Sequence, residues 1–346
     1  MLLGVLRDLQ FRRRRFAIAV TGASLVFALS LAVAGLAASF DAEIDATQHA
    51  MDAGHWFVAP AASGPFTSFA PIAPAAVAAL VAGTPTASPV LITRAPIGRD
   101  LIRKDAQIIG VAPGASGSPT DLTSGRAARR DGEAVVSDKL ELAPSSTIRV
   151  ASTDLTVVGT TPSTLLAGGP VVFTTLAQAQ QILGAGSIIT AVVSDTSPDH
   201  LPDGVREVTR SQVHEATLLP LQDAVGTITM MRSMLWLVAA LIVGSILYLN
   251  AMERTRDVAV FKAIGVSTGS IVGSMMVQAA IVAIVAALLA DGLALLIGPL
   301  FPMKSVISVT SLLLLPVISV IIALVASIAG VRRAVSVSPA VAFGGP

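Results

Sequence analysis

The chain of 346 residues lacks several features that soluble domains usually have. It contains no cysteine, which excludes a disulfide framework and a thiolate metal site. Only 13% of its residues are charged, against about 25% in a typical soluble domain. Its net charge of +1 gives no reason to expect nucleic acid as a partner. Because 53% of the residues are hydrophobic, we expect at least part of the chain to lie in a membrane.

The sequence also lacks the common catalytic motifs. A phosphate-binding loop reads G-x-x-x-x-G-K-[ST], and the chain has no Gly-Lys pair. No G-x-S-x-G is present, and the histidines at 49, 55, 200 and 214 form no H-x-x-x-H pattern. We therefore predict that the chain is not an enzyme and that it binds no metal or other cofactor of its own.

Four long apolar stretches are present. A spanning helix needs ~20 apolar residues, because the hydrocarbon core is ~30 Å thick. On this basis we assign transmembrane spans to residues 16–40, 229–252, 269–297 and 307–331. A cleaved signal peptide is the alternative for the first stretch. Its apolar run is longer than the usual 7–15 residues of a signal peptide, so we predict an uncleaved span.

Lys and Arg beside the spans set the expected orientation. The first span follows Arg12, Arg13, Arg14 and Arg15, and the connection between the second and third spans carries Arg254, Arg256 and Lys262. By the positive-inside rule, both termini and residues 253–268 are cytoplasmic. Residues 298–306 then form a short outer loop, and residues 332–346 a cytoplasmic tail. The prediction is a multi-pass protein of the cell inner (plasma) membrane.

The N-terminal residues 1–15 have an amphipathic pattern. Leu2, Val5, Leu6 and Leu9 share one helical face, which suits an elbow helix lying in the membrane interface. The four arginines at 12–15 would then contact anionic lipid, at about 1 kcal/mol each near the surface. A frayed, disordered start is the alternative.

Residues 41–228, between the first two spans, have a different composition. They contain 18 acidic and 11 basic residues, a net charge of −7, as expected of a solvated domain. Short β-branched runs alternate with helical stretches, which predicts a mixed α+β fold. The run 146–160 has the pattern of a hairpin with a turn near Ser152 to Asp154. Residues 174–184 predict a helix with a threonine N-cap and Gly184 as C-cap.

The stretch between the second and third spans, "NAMERTRDVAVFKAIGVSTGS", gathers charge in an otherwise apolar region. Val258, Phe261 and Ile264 recur at helical spacing, and Glu253, Arg254, Asp257 and Lys262 supply the polar positions. We expect a short amphipathic helix that stops at Gly265, followed by a helix capped by Ser267 or Thr268. A simple positive-inside flank is the alternative. It would need neither the acids nor an ordered apolar face.

This stretch resembles the signature of the FtsX-like permeases, the membrane subunits of MacB, LolCDE, FtsEX and DevC types of ABC transporter. The family reads roughly "ERTREIGILKALGAS". The matching residues are Glu253, Arg254, Thr255, Arg256, Val258, Lys262, Ala263, Ile264, Gly265 and Ser267, with Asp257 in place of Glu. Ala259 replaces the usual glycine, and Phe261 replaces an aliphatic residue. The tail "RRAVSVSPAVAF" and parts of the outer region resemble the family as well.

The resemblance implies a fold and a mechanism. The fold is an α-helical membrane protein with four transmembrane helices, N-in and C-in, with an α+β extracytoplasmic domain inserted between TM1 and TM2. The helix after the second span would be a coupling helix that docks on a separate ABC ATPase, which binds ATP and magnesium. Two permeases, copies or paralogues, would form a dimer. The coupling residues would be Glu253, Arg254, Arg256, Asp257, Val258, Phe261, Lys262, Ile264 and Gly265.

Two functions fit this assignment equally well. The chain is either a permease subunit that exports or extracts a substrate, or a mechanotransmitter that activates an extracytoplasmic hydrolase without transport. Both functions would include a further partner outside the membrane, an adaptor or a hydrolase. A membrane receptor without an ATPase is disfavoured by the signature between the second and third spans.

Overall fold

The computed structural model describes residues 13–98, 104–162, 165–166, 169–184, 186–253, 260, 264–297 and 308–335. The chain divides into two compact units. The membrane unit comprises Met1–Ser39 and Ala224–Pro346, and the head comprises Phe40–Asp223. The predicted outer loop 298–306 lies outside the described residues, as do residues 1–12 of the elbow and 336–346 of the tail.

The helices and strands are numbered here in chain order. The helices are α1 (Arg13–Met51), α2 (Pro74–Gly83), α3 (Leu176–Leu183), α4 (Arg210–Leu218), α5 (Gln222–Glu253), α6 (Thr268–Ile297) and α7 (Val309–Val335). The strands are β1 (His55–Val58), β2 (Ser88–Ile97), β3 (Lys104–Val111), β4 (Ser124–Gly125), β5 (Glu133–Ser137), β6 (Thr147–Val150), β7 (Thr153–Thr161), β8 (Leu165–Leu166), β9 (Gly169–Thr175), β10 (Ala191–Ser194) and β11 (Arg206–Val208).

Four helices in the described part of the chain are long and apolar enough to cross a membrane. Their apolar windows lie in Phe16–Met51, Arg210–Ser245, Thr268–Ile297 and Val309–Ser327. The prediction of four spanning helices is confirmed. The helix that contains the first predicted span continues beyond residue 40 to Met51, so the first residues of the head are helical too.

The interior of the membrane unit is built largely from alanine. Its buried cluster joins all four long helices, and α6 contributes six alanines: Ala279, Ala283, Ala286, Ala287, Ala290 and Ala294. Small side chains let helix backbones approach closely, which is how helices associate in lipid. Trp236 of α5 donates to the Ser30 hydroxyl of α1 at 3.0 Å. The Ser319 hydroxyl of α7 donates to the Ala283 carbonyl of α6 at 3.2 Å.

The head is built on an 11-stranded mixed sheet. The strand order is β11-β1-β10-β2-β3-β9-β5-β7-β4, with β6 paired to both β2 and β7 and β8 paired to β9. The β3–β9 and β5–β7 pairs are parallel, and the others are antiparallel. Because β6 contacts both β2 and β7, the six strands β2, β3, β9, β5, β7 and β6 close into a ring.

The closed ring explains why several strands have apolar residues at successive positions. Along β5, Ala134 and Val136 belong to one buried cluster while Val135 belongs to another. In the same way, Ile108 and Ile109 of β3 face opposite sides of the sheet. Successive strand residues alternate between faces, so a strand buried on both faces reads as a continuous hydrophobic run.

The predicted mixed α+β domain is confirmed, together with its local features. The hairpin exists as β6 and β7, with Val150 opposite Thr153. Its turn therefore lies at Ala151 and Ser152, slightly earlier than predicted, and Ala151 takes a positive φ of 51°. Helix α3 has the predicted caps. The Thr175 hydroxyl accepts from the Gln178 amide, and Gly184 at φ 67° ends the helix.

An ion pair buried in the head fixes the last part of α1. The Lys139 ammonium lies 2.5 Å from the Glu43 carboxylate, and the two side chains are only 18% and 7% exposed. Lys139 belongs to the short 3₁₀ helix Asp138–Leu140, which follows β5 directly. A charge this deeply buried is tolerated only when it is paired, so each residue depends on the other. The contact joins α1 to the sheet.

Candidate partner-binding site

The candidate site is the connection between α5 and α6. The first helix ends at Glu253 and the second begins at Thr268. Within the connection, the structure describes Val260 and residues 264–267. Among the predicted coupling residues, Arg254, Arg256, Asp257, Val258, Phe261 and Lys262 lie outside the described residues. Glu253, Ile264 and Gly265 lie within them.

The end of this connection has the predicted stop and cap. The Ile264 amide donates to the Val260 carbonyl at 3.1 Å, which is a helical bond. Gly265 then adopts a φ of +88°, a backbone conformation that side-chain-bearing residues rarely take. The Ser267 hydroxyl and carbonyl accept from the Ser270 amide at 3.3 Å and 3.0 Å, and so cap α6. Ser267, one of the two predicted cap positions, is confirmed as the cap, and Gly265 has the positive φ expected where a helix stops.

Apolar side chains around this turn are exposed. Ile264 is 70% exposed and Val260 is 45% exposed. The two residues are four apart, which places them on the same side of one helical turn. Val260 is absent from the predicted coupling set, although its spacing from Ile264 could have identified it. The predicted apolar face consists of Val258, Phe261 and Ile264, and among these residues the structure describes only Ile264.

The predicted lipid-binding arginines lie at the start of α1. Arg13, Arg14 and Arg15 form its first turn, and the side chains of Arg13 and Arg14 are exposed. Arg12 lies outside the described residues. Contact of these arginines with lipid phosphate stays a prediction.

Residues 230–339 match the model of the FtsX-like permease C-terminal family. The chain is 39% identical over 350 residues to an ABC transporter permease of Mycobacterium bovis, and the match covers 100% of both chains. It is 36% identical over 355 residues to an ABC transporter permease of Mycobacterium tuberculosis, again with 100% of both chains covered.

Two solved structures resemble the chain more distantly. The periplasmic region of MacB from Actinobacillus actinomycetemcomitans has a TM-score of 0.34 and 10% identity, covering 47% of this chain and 92% of that one. The extracellular domain of the transporter YknZ from Gram-positive bacteria has a TM-score of 0.31 and 13% identity, covering 50% and 94%.

The family assignment depends on the end-to-end matches to relatives and on the family model across the last three membrane helices. With four helices able to cross a membrane, the protein is a multi-pass membrane protein. The chain belongs to the ABC transporter permeases and carries an FtsX-like permease domain in its C-terminal part.

Proposed function

We propose that this permease couples ATP hydrolysis by a separate ATPase to motion of its extracytoplasmic head, and so exports or extracts a substrate. Residues 253–268 would receive the movement of the ATPase. The observation that carries the proposal is the exposure of Ile264 and Val260 in the connection between two membrane-spanning helices. The rest of the connection is densely charged.

Exposed apolar residues in a charged, water-facing segment favour contact with a partner. Burial of apolar surface contributes roughly 25 cal/mol per Å², so the Ile264 and Val260 side chains gain free energy if another protein covers them. An amphipathic helix whose apolar residues recur three and four apart is a common means of docking in a groove. In this proposal Val258, Phe261 and Ile264 enter the groove of the ATPase.

The charged residues would orient the docked helix. Glu253, Arg254, Arg256, Asp257 and Lys262 include both signs, so they can form ion pairs around an apolar centre. Complementary charge at the rim of an interface contributes mainly to specificity and association rate. Gly265 would let the chain reverse directly after the docked turn, because its φ of +88° suits glycine.

An ABC transporter permease acts with an ATPase subunit, and this sequence has no phosphate-binding loop of its own. In the proposal, ATP and magnesium are therefore bound by the ATPase on the cytoplasmic side. A second permease, a copy or a paralogue, completes the complex, and an adaptor or hydrolase outside the membrane is a further partner. The arginines at 12–15 hold the start of α1 at the lipid surface.

The test is co-purification of the ATPase with a Phe261→Asp variant. An aspartate at the apolar centre of the docking face should remove the ATPase from the purified complex while the permease remains in the membrane. Phe69→Asp is the matched control, because Phe69 is a 53% exposed phenylalanine of the head. Retention of the ATPase by the Phe261 variant would refute the assignment of the coupling face.

A further inference from the structure

The head contains a cavity of about 360 Å³ between its sheet and the loop that connects β1 to α2. Binding sites for small molecules usually measure about 300–1,000 Å³, so the volume suits a small ligand. Strands β2 and β3 form one wall, residues 65–69 of the loop form another, and Leu183 of α3 completes the lining. All of these residues belong to the head.

The lining of the cavity combines apolar side chains with a few polar ones. Half of the lining residues are apolar: Pro65, Phe66, Phe69, Ile92 and Leu183. Four others have neutral polar side chains: Thr67, Ser68, Thr93 and Gln107. Among the described residues that line the cavity, Arg94 is the only charged one. An apolar lining with a few convergent polar groups is typical of a small-molecule site.

Arg94 is oriented by a buried neighbour and keeps most of its donors. Its Nε donates to the Oε1 of Gln107 at 3.3 Å. Gln107 is only 5% exposed, whereas Arg94 is exposed to solvent. A guanidinium has five N–H groups, and in the described part of the chain this is the one side-chain bond recorded for Arg94. Its two terminal nitrogens can therefore donate to a ligand.

The charge in the cavity favours a monoanion. The guanidinium is always protonated in proteins, and its planar fork matches a carboxylate with two parallel hydrogen bonds. The one acid of β3, Asp105, lies opposite Pro96 in the strand register and not opposite Arg94. A phosphate monoester would bring a charge of about −1.5 to −2, which one arginine does not balance. A carboxylate is therefore the better match.

The two phenylalanines of the cavity provide an apolar surface for the rest of a ligand. Phe66 is 4% exposed, and its ring packs edge-on against the ring of Trp56 with the centroids 5.3 Å apart. Phe69 is 53% exposed, so solvent reaches the cavity beside it. A ligand with an apolar group would cover Phe69, and burial of apolar surface is favourable.

The loop that forms the second wall is held in place by the head. The Ser68 hydroxyl accepts from the Ser63 amide at 3.1 Å and donates to the Gly64 carbonyl at 3.3 Å. Arg206 donates to the Ser63 carbonyl at 3.2 Å. A Cβ on Gly64 would lie 2.6 Å from the Cβ of Ala216, so the loop packs directly against α4. A preformed wall reduces the cost of ordering when a ligand binds.

We propose that this cavity binds a small carboxylate that carries an apolar group. Arg94 holds the carboxylate, and Phe66 and Phe69 contact the apolar group. That group is aliphatic in a fatty acid and aromatic in an aryl-substituted acid, and the two share the chemistry that the cavity recognises. The site goes beyond the proposed coupling function, because it lies within the head and needs no ATPase to bind its ligand.

The test measures ligand binding to the full chain in lipid nanodiscs, with empty nanodiscs to correct for partition into lipid. The probes are phenylpropionate and octanoate, each compared with its neutral amide by saturation-transfer NMR titration. At least one acid should bind about tenfold more tightly than its amide, because charge-assisted hydrogen bonds are stronger than neutral ones. The acid that binds more tightly identifies the apolar group as aromatic or aliphatic.

Two arginine variants test the role of Arg94. Arg94→Gln should weaken binding of the preferred acid about tenfold and leave binding of its amide unchanged. Arg129→Gln is the matched control, because Arg129 is an exposed arginine of the head outside the cavity lining. It should bind the acid as the unmodified chain does. Thermal melting of both variants shows whether the head remains folded.

Three results would overturn the proposal. They are the absence of saturable binding by either acid, equal affinity for acid and amide, and an Arg94→Gln variant that loses affinity for acid and amide alike. The last result would mean that Arg94 only supports the shape of the cavity. Because the experiment contains no ATPase, its outcome is independent of the coupling proposal, which the Phe261→Asp variant tests.

Discussion

At the scale of single residues, one carboxylate organises the polar loop before β5. Glu133 accepts two bonds from the Arg126 guanidinium, at 2.6 Å and 2.7 Å. It also accepts from the backbone amides of Arg129 and Arg130, at 2.9 Å and 3.3 Å. The hydrogen bond from Arg126, followed by the one from the Arg129 amide, lowers the pKa of Glu133 to about 2. A single side chain thus closes the loop from Arg126 to Glu133.

A pH dependence of head stability follows from this lowered pKa. The ordinary pKa of glutamate is about 4.3. The contribution of Glu133 is therefore fully present above that value and is lost as the pH falls towards about 2. Glu133→Gln should cost roughly 1.5 kcal/mol in unfolding free energy at neutral pH, and less near pH 3. Urea unfolding at the two pH values measures both effects.

The control for this prediction is Glu141→Gln. Glu141 is exposed, and no side-chain partner is recorded for it in the part of the chain that the structure describes. It should show little loss at either pH. An equal loss for Glu133→Gln at neutral and acidic pH would contradict the argument, because it would mean that the ionised carboxylate is not what stabilises the loop.

At the scale of elements, the position of α3 depends on a glycine in the strand beneath it. A Cβ on Gly110 of β3 would lie 2.3 Å from the Cβ of Ala179 and 3.3 Å from the Cα of Leu176. Ala179 is fully buried. The helix is also tied to the loop before β5, because the Gly132 amide donates to the Gln178 side chain at 2.8 Å. It therefore cannot move away freely.

Gly110→Ala should destabilise the head by about 1–3 kcal/mol, the usual cost of overpacking a close-packed core. Thermal unfolding of the full chain measures the loss. Gly83→Ala is the matched control, because nothing lies within 4 Å of the added Cβ at that position. Combining Gly110→Ala with Ala179→Gly should recover part of the stability, since it removes the methyl group in the clash. A double variant no more stable than Gly110→Ala would show that the contact with Ala179 is not the cause.

At the scale of the whole molecule, charge beside the spans predicts which parts face the cytoplasm. Arg254, Arg256 and Lys262 lie in the connection between α5 and α6, whereas residues 41–228 carry a net charge of −7. An orientation that places the connection inside and the head outside satisfies the positive-inside rule. The proposed coupling mechanism requires the same arrangement, because the ATPase and its nucleotide are cytoplasmic.

This orientation can be tested cleanly because the chain contains no cysteine. Single cysteines are introduced at Asp199, which is exposed in the head, and at Val260, which is 45% exposed. A membrane-impermeant maleimide added to intact cells should label Asp199→Cys. It should label Val260→Cys only after permeabilisation. Labelling of both from outside would place head and connection on one side of the membrane and refute the coupling proposal.

The sequence by itself determined the features that depend on local composition and spacing. Long uncharged runs require helices in a membrane, so four spans could be located by length alone. Helix caps and turns could also be predicted from single residue types. Thr175 and Gly184 cap α3, and Gly265 lies at the turn before α6. The family signature is also local, because it is one continuous segment of the sequence.

Only the tertiary structure decided which distant residues meet. Three contacts each join residues that are far apart in the chain. They are the pairing of β6 with β2, the buried Glu43–Lys139 ion pair and the contact of His214 with two aspartates. The four histidines form no pattern in the sequence, and His214 contacts Asp45 and Asp41 across separations of 169 and 173 residues. Strands buried on both faces lose the alternation that reveals a register. The order of the sheet, and every contact that depends on it, therefore could not be inferred from local sequence.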